Sequence, residues 1–268
     1  MNAQPSPPAA SPTREAIEAL CATVDLPRPP DSLHNVGDGD FDSIGREFVW
    51  HLVHRAGLRP RDRVLDIGCG VGRLALPLTA YLAPGPLAYR GFDVSAPAIA
   101  WCAATIGAAC PGFSFSRLDL RHPLYNPSGA VDPATTDFPA EDGSVDVAAA
   151  ISVFTHLPPP VIQHYLCEVR RVLAAGGRFF CTAFLLTPAA RRQLEAGEGP
   201  LPFRAADTGQ WQEAYPDYPG AATAVDPAWF EAAAAAAGLR LAAPILPGSW
   251  PGAAPGESFQ DICLLEAA

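Results

Sequence analysis

The sequence predicts an α/β fold, a doubly wound, mostly parallel seven-stranded sheet with helices on both faces. Short apolar runs alternate with helical patterns from about residue 63 onward, and this alternation builds parallel sheets from strand–helix–strand units. The first run ends in glycines at alternate positions, Gly68, Gly70 and Gly72. Such a turn, between a buried strand and a helix, is typical of a ligand-binding edge in an open sheet.

Two helices are predicted before the sheet begins. Residues 1–12 are rich in Pro, Ser and Ala and are expected to be disordered. Thr13 can cap a helix over 14–21, which ends before a Pro-rich break. A second helix is predicted over 41–56. We therefore expect a Pro-rich, partly disordered N-terminal segment at 1–40 and one domain at 41–268.

Four strands follow, each ending at a ligand-facing position. They are predicted at residues 63–67, 87–92, 113–118 and 145–151. The last three end at Asp93, Asp119 and Ser152, and the carboxyl ends of parallel strands meet at one edge of the sheet. Ser95 is the expected cap of a helix over 95–106.

The remaining elements complete the sheet around an insertion. We predict a helix at 158–173, a strand at 178–186, a helix at 227–237, and closing strands near 239–243 and 259–265. Residues 187–225 interrupt the alternation. Since this insertion is rich in aromatic residues, it is a candidate for determining ligand specificity, on the substrate side of the domain.

Composition limits the class of protein. The chain has 268 residues, a net charge of −10 and seven cysteines. A nucleic-acid partner would require a cationic surface, so none is expected. The sequence contains no apolar run of membrane-spanning length and its first residues do not resemble a secretory signal. We therefore expect a cytoplasmic protein without a membrane partner, a disulfide framework or a metal site.

The first glycine turn indicates which ligand binds. A dinucleotide fingerprint needs a third glycine where this chain has Arg73. Instead, Asp66 stands two residues before the first glycine. A carboxylate there would repel a pyrophosphate but suits a cationic ligand. Residues 64–73, VLDIGCGVGR, resemble the first motif of the class I, Rossmann-like S-adenosylmethionine-dependent methyltransferases of the bacterial small-molecule type. The resemblance implies S-adenosylmethionine as cofactor and an antiparallel last strand.

The resemblance assigns cofactor contacts to the strand ends. Asp93 is placed to accept hydrogen bonds from both ribose hydroxyls, although it could simply cap the next helix. Asp119 is expected at the adenine amine, or alternatively as an ordinary turn acid. Arg46 is a candidate for the methionine carboxylate, or a surface arginine. The complete predicted cofactor set is Arg46, Asp66, Gly68, Cys69, Gly70, Gly72, Asp93, Val94, Asp119, Leu120 and Ser152.

Residues 152–159, SVFTHLPP, resemble a segment of bacterial small-molecule methyltransferases. They lack the Asn/Asp-Pro-Pro-aromatic tetrad of enzymes that methylate amides or nucleobase amines. His156 is the candidate general base because imidazole titrates near neutral pH. In the alternative reading, Thr155 caps the following helix and His156 only fills its first turn.

The expected function is methyl transfer to a small-molecule acceptor, most simply a hydroxyl of a sugar or specialised metabolite. Methylation of a small-molecule amine is an alternative within the same class. Two further alternatives are a non-catalytic S-adenosylmethionine-binding regulator and an NAD-dependent oxidoreductase. The missing third glycine counts against the oxidoreductase. The oligomeric state stays open, with a homodimer as one candidate.

Overall fold

The structure is a computed structural model that describes residues 12–33, 39–197, 199–204, 209–252 and 256–268. Disorder is predicted for residues 1–12, of which residues 1–11 lie outside these ranges. The described helices are α1 (Arg14–Cys21), α2 (Phe41–His54), α3 (Ala75–Tyr81), α4 (Ala96–Cys102), α5 (Pro159–Val172), α6 (Pro188–Glu195) and α7 (Pro227–Ala236). The described strands are β1 (Val64–Ile67), β2 (Tyr89–Asp93), β3 (Phe113–Arg117), β4 (Val145–Ala150), β5 (Leu173–Ala183), β6 (Trp211–Glu213), β7 (Thr223–Val225), β8 (Leu239–Leu241) and β9 (Asp261–Ala267).

Seven of the described strands form one sheet in the order β3-β2-β1-β4-β5-β9-β8. The first five run parallel, and β9 is antiparallel to both β5 and β8. Strand order reverses beside β1, because β2 and β4 flank it on opposite sides. The predicted doubly wound sheet and its antiparallel last strand are confirmed. The reversal places a crevice at the carboxyl end of β1.

Apolar cores lie on both faces of the sheet. On one face, Leu166 and Val169 of α5 pack with the inward side chains of the central strands. On the other, Leu52 of α2 packs with Tyr89 and Phe180. Each fully buried side chain of this kind stabilises the fold by roughly 1.5–3 kcal/mol. The helices therefore cover both faces of the sheet and leave the carboxyl ends of its strands accessible to a ligand.

Helix α1 belongs to the second core. Thr13 caps it as predicted, since its hydroxyl accepts a hydrogen bond from the Ala16 amide at 3.3 Å. Ile17 and Cys21 are buried, with 2% and 3% of their surfaces exposed, in the core that also holds α2. The packed structure therefore starts before residue 41, within the segment that the sequence assigns to the N-terminal region.

The segment between β4 and α5 differs from the alternative that the sequence offers. Phe154–His156 form a single 3-10 turn, and the residue that precedes α5 at the N-cap is Pro158. Thr155 is fully buried, and its hydroxyl has no hydrogen-bond partner among the described residues. The reading in which Thr155 caps the helix is therefore wrong. The turn is an independent element that places its side chains at the edge of the sheet.

A small two-stranded sheet of β6 and β7 and helix α6 occupy the described part of the predicted insertion. The insertion is attached to the main sheet through the pairing of Leu185 with Val225. A third apolar cluster, which includes Phe184, Phe203 and Trp250, fills the space beneath it. The aromatic residues of the insertion therefore divide between this cluster and an exposed group that includes Trp211, Tyr215 and Tyr218.

Asp261 connects the loop that precedes β9 to the residues that follow β5. It is 3% exposed and accepts hydrogen bonds from the Leu185 amide at 2.7 Å, the Gly248 amide at 2.7 Å and Trp250 Nε1 at 2.8 Å. Three donors satisfy one buried carboxylate, so its removal would leave each of them unpaired.

We expect Asp261→Ala to lower the free energy of unfolding by about 3 kcal/mol, because three buried N–H groups would lose their acceptor. The exposed Asp217 provides the control, and Asp217→Ala should change stability by less than about 0.5 kcal/mol. Urea denaturation of both variants measures the difference. Equal midpoints for the two variants would contradict the role assigned to Asp261.

Candidate functional site

The turn after β1 depends on its glycines. Gly68, Gly70 and Gly72 have φ angles of +70°, +51° and +77°, values that side chains other than glycine rarely adopt. A Cβ on Gly68 would lie 2.6 Å from Val153 Cγ2, and one on Gly72 would lie 2.8 Å from Ile106 Cδ1. The turn therefore packs tightly against its neighbours. At Gly70 a Cβ would meet no atom within 4 Å, so this position faces open space.

That space is a cleft at the carboxyl edge of the sheet. Its cavity volume is about 170 Å³, and the cleft opens to solvent at its mouth. Its walls are the glycine turn, the ends of β2 and β4, and the segments that follow β3 and β4. The cleft is therefore a concave site at the point where the strand order of the sheet reverses.

Asp66 lies in the cleft wall at the end of β1. It is buried, and Tyr89 donates a hydrogen bond from its hydroxyl to Asp66 Oδ2 at 2.5 Å. Burial raises the pKa of Asp66 to about 7, the Tyr89 hydrogen bond opposes this rise, and the charge of Asp93 adds to it. A cationic ligand group would favour the ionised form. The site is therefore suited to an ammonium group.

Asp93 joins the glycine turn to the next helix. Its Oδ2 accepts a hydrogen bond from the Gly70 amide at 2.9 Å, and its Oδ1 accepts one from the Ser95 amide at 2.8 Å. Burial raises its pKa, and the hydrogen bonds from these amides act in the opposite direction. Ser95 itself caps α4 through the Ala98 amide. Each carboxylate oxygen keeps a second acceptor position, so Asp93 can also receive ligand hydroxyls.

Ser152 marks the end of β4 with a strained backbone. Its φ of +56° lies in the left-handed region, which is costly for a residue with a Cβ. Its amide donates to Thr182 Oγ1 at 2.8 Å, and its hydroxyl donates to Gln260 Oε1 at 3.3 Å. Strain that neighbouring groups maintain is frequent at ligand sites. Ser152 lines the cleft.

His156 lies in the wall of the cleft formed after β4. Its Nδ1 is 2.8 Å from the carbonyl oxygen of Gly220. A carbonyl only accepts hydrogen bonds, so Nδ1 carries the proton and Nε2 is the basic nitrogen of the neutral ring. Burial lowers the pKa of His156, with the Gly220 hydrogen bond opposing. His156 is therefore neutral at pH 7 and able to accept a proton.

The structure brings most of the predicted site residues together. Those in the cleft wall are Asp66, Gly68, Cys69, Gly70, Asp93, Val94, Leu120, Ser152 and His156. Three are absent from the lining of this cleft. Gly72 packs beneath the turn against α4 and the π-helical turn that follows it. Arg46 lines a separate, small cavity with Cys21 and Arg28.

Asp119 is the third residue outside the lining. Its Oδ1 accepts from Arg117 at 2.7 Å and from Asn126 at 3.0 Å, and its Oδ2 accepts from the Ala130 amide at 3.3 Å. These contacts hold the loop after β3, as an ordinary turn acid would. The adenine contact assigned to Asp119 stays a prediction.

Sequence reasoning missed four polar residues of the cleft. His122 and Tyr125 follow β3, Tyr165 lies on α5, and Arg73 ends the glycine turn. His122 and Tyr125 belong to the same strand-end segment as Asp119, so that segment was a usable signal. Among the described residues, no group of three His, Cys, Asp or Glu side chains is arranged to hold a metal ion.

Residues 64–177 match a family model described as a methyltransferase domain. They include β1, the glycine turn, Asp93 and His156, in a sheet that is doubly wound as predicted. Residues 64–177 therefore form a class I, Rossmann-like methyltransferase domain. S-adenosylmethionine is the cofactor of this family. The match decides against the alternative of an NAD-dependent oxidoreductase.

Two curated proteins share part of the methyltransferase sequence. Carboxy-S-adenosyl-L-methionine synthase of Chromohalobacter salexigens is 32% identical over 82 residues, which are 30% of this chain and 30% of that protein. Sterol 24-C-methyltransferase erg6 of Schizosaccharomyces pombe is 28% identical over 144 residues, which are 53% and 33% of the two chains. The chain thus spans about a third of the length of these relatives.

A solved structure agrees over a larger share of the chain. Magnesium protoporphyrin IX methyltransferase from Synechocystis PCC 6803, determined with bound SAH, superposes with a TM-score of 0.52 at 15% identity. The match covers 88% of this chain and 92% of that one. This likeness supports the fold. No helix within the described ranges is both long and apolar enough to traverse a bilayer.

The cleft fits the family's cofactor in charge and in its hydrogen-bond acceptors. S-adenosylmethionine carries an ammonium group, a sulfonium and a ribose diol, and no phosphate. The buried carboxylate of Asp66 suits the ammonium, and Asp93 has free acceptor positions for the diol. Gly70 leaves room for close approach because a Cβ there would meet open space. Residues Asp66, Gly70 and Asp93 would therefore hold the cofactor.

The raised pKa of Asp66 predicts a pH-dependent affinity for S-adenosylhomocysteine. The ammonium group requires ionised Asp66, whose pKa is about 7 in the free protein and lower in the complex. Affinity should therefore be constant above pH 7 and fall up to about tenfold per pH unit below it.

Calorimetric titration between pH 5.5 and 8.5 measures this dependence. Tyr89→Phe is the matched variant, because Tyr89 donates the hydrogen bond that lowers the pKa of Asp66. In this variant the fall in affinity should begin at higher pH. An affinity that is flat across the range in both proteins would refute the ammonium contact at Asp66.

Proposed function

We propose that the chain transfers a methyl group from S-adenosylmethionine to a small-molecule acceptor, a hydroxyl of a sugar or specialised metabolite. One observation carries this proposal. The cleft that contains the Asp66 and Asp93 carboxylates also contains the neutral imidazole of His156. A cofactor site and a base in one cleft are what methylation of a hydroxyl requires.

S-adenosylmethionine, when bound, supplies a methyl group already activated by a sulfonium leaving group. The protein then has to align the acceptor, exclude water and remove a proton. His156 can perform the last task. His156 Nε2 would take the O–H proton of the acceptor while the acceptor oxygen replaces sulfur on the methyl carbon, and the sulfur would leave as the thioether of S-adenosylhomocysteine. The Gly220 carbonyl, 2.8 Å from Nδ1, fixes the ring and stabilises the imidazolium that forms.

Several features support a neutral small molecule as acceptor. The polar side chains of the cleft wall that contact His156 are uncharged: His122 and Tyr125. The chain's net charge of −10 disfavours nucleic acids. By their names, the curated relatives act on a sterol and produce a modified S-adenosylmethionine. A cytoplasmic bacterial enzyme, acting alone or as a homodimer, agrees with these features.

An amine acceptor remains the alternative, because a protonated amine also needs a base before it can attack. A regulator that binds the cofactor without turnover is a second alternative. Acceptor panels separate these three cases. Hydroxyl compounds, amines and no acceptor at all are incubated with S-adenosylmethionine, and S-adenosylhomocysteine is measured. We expect turnover with a hydroxyl panel, and turnover with amines alone would overturn the hydroxyl proposal.

Asp93→Ala should abolish micromolar binding of S-adenosylmethionine and S-adenosylhomocysteine, since the ribose would lose its acceptor and the glycine turn its bond to Asp93. Calorimetry on purified protein provides the measurement, with Asp217→Ala as an exposed control and NAD as a control ligand. Wild-type affinity in Asp93→Ala would refute the assigned contact. Binding of NAD but of neither sulfur ligand would refute the function.

His156→Phe should reduce kcat with a hydroxyl acceptor about 100-fold or more, the usual contribution of a general base. It should change the S-adenosylhomocysteine affinity less than twofold. His164→Phe is the matched control, because His164 lies on α5 with its Nε2 2.8 Å from the Thr136 carbonyl. Full turnover by His156→Phe would mean that proton removal does not depend on this imidazole.

A further inference from the structure

The acceptor side of the cleft is built from three separate segments of the chain. Residues 122–126 follow β3, Phe154–His156 follow β4, and Gly220 belongs to the insertion. They are far apart in sequence, and regular strand pairing does not join them. All three meet at the side chain of His122, which is only 8% exposed. This imidazole is therefore a candidate for organising the wall.

The hydrogen bonds of His122 fix its tautomer. Its Nδ1 lies 3.2 Å from the amide nitrogens of both Leu124 and Tyr125. Amide nitrogens only donate, so Nδ1 is the unprotonated nitrogen. Nε2 therefore carries the proton, and it donates to the carbonyl oxygen of His156 at 3.0 Å. The Nδ1 edge of the ring thus holds the turn that contains Leu124 and Tyr125, and the Nε2 edge holds the turn that contains His156.

Gly220 closes the same contact from the third segment. A Cβ there would lie 2.7 Å from His122 Cε1 and 3.2 Å from the His156 carbonyl oxygen. Its φ of +79° also favours glycine. Its carbonyl oxygen accepts from His156 Nδ1. His156 is therefore held at its backbone by His122 and at its ring by Gly220.

Tyr125 is placed by the same arrangement. Its ring centroid is 4.8 Å from that of His122, and it meets the His156 ring edge-on at 5.3 Å. Tyr125 and His156 both line the cleft, and burial raises the pKa of the Tyr125 phenol, which keeps it a hydrogen-bond donor. The two groups that would face an acceptor hydroxyl thus reach it from different loops.

We propose that His122 is the positioning residue of the acceptor wall, where its neutral Nε2–H tautomer sets the distance between Tyr125 and His156. The inference rests on the proposed function of the cleft. His122 acts through the two groups that face the acceptor. Of the hydrogen bonds made by the His122 ring, only the one to the His156 carbonyl crosses to another loop. The Tyr125 hydroxyl also lies 3.5 Å from His156 Nδ1, which is long for a hydrogen bond. The Nε2 bond therefore carries the positioning, whereas the Nδ1 bonds shape the local turn.

Two variants separate the role of Nδ1 from that of Nε2. Asparagine places an amide oxygen near the position of Nδ1, so His122→Asn keeps the acceptor for Leu124 and Tyr125 and loses the donor to His156. Glutamine places an amide N–H near the position of Nε2, so His122→Gln keeps the bond to the His156 carbonyl and loses the other. His122→Phe removes both bonds and retains the ring. Melting temperatures check that each variant is folded.

Hydrogen exchange gives a readout that requires no acceptor. The His156 amide donates to the Val153 carbonyl within its turn. We expect its exchange to be at least tenfold faster in His122→Asn and His122→Phe, and within threefold of wild type in His122→Gln. Imidazole nitrogen chemical shifts of the wild-type protein should report the Nε2–H tautomer for His122. Wild-type exchange in His122→Asn, or an Nδ1–H tautomer, would overturn the proposal.

Kinetics with an acceptor found in the panels extend the test. His122→Asn should lower kcat at least tenfold, and His122→Gln should retain at least a third of it. The S-adenosylhomocysteine affinity should stay within twofold in both variants, because the glycine turn is untouched. Loss of kcat in His122→Gln with normal kcat in His122→Asn would contradict the inference. Failure of the wild-type protein to bind S-adenosylhomocysteine would refute the proposed function instead, and the exchange result would still decide the role of His122.

Discussion

The hydrogen bond from the Gly70 amide to Asp93 is the contact on which the cleft depends. It forms only because the chain leaves β1 through left-handed glycines, a path closed to residues with a Cβ. The same carboxylate holds the Ser95 amide at the start of α4. One acid therefore connects the ends of β1 and β2 and the helix between β2 and β3. A displaced Asp93 would disturb the glycine turn and the ligand contacts together.

The electrostatics of the cleft divide it into two sides. The β1–β2 side has buried carboxylates whose pKa values are raised by burial, an environment that a cationic ligand stabilises. The side built after β3 and β4 has imidazoles whose pKa values are lowered by burial. Neutral imidazole bases opposite a site for a cationic ligand favour a reaction in which a proton leaves the acceptor. This division supports methyl transfer to a neutral molecule.

The sequence predicts well those features that depend on the pattern of residues close together in the chain. The strand ends located Asp66, Asp93 and Ser152 in the cleft, because parallel strands must end at one edge. The direction of a side chain after the strand is not part of that pattern. Asp119 accordingly lies outside the lining, and Arg46, on α2, lines a separate cavity. The contacts of His122 with His156 and Gly220 join segments 34 residues apart or more, and no local periodicity reports them.

The most direct test of the central claim is a crystal structure with S-adenosylhomocysteine bound. We expect the ligand in the cleft, with its ribose hydroxyls on Asp93, its amino group beside Asp66, and its sulfur directed toward the wall that contains His156. A ligand bound elsewhere, or one whose sulfur points away from that wall, would contradict the account.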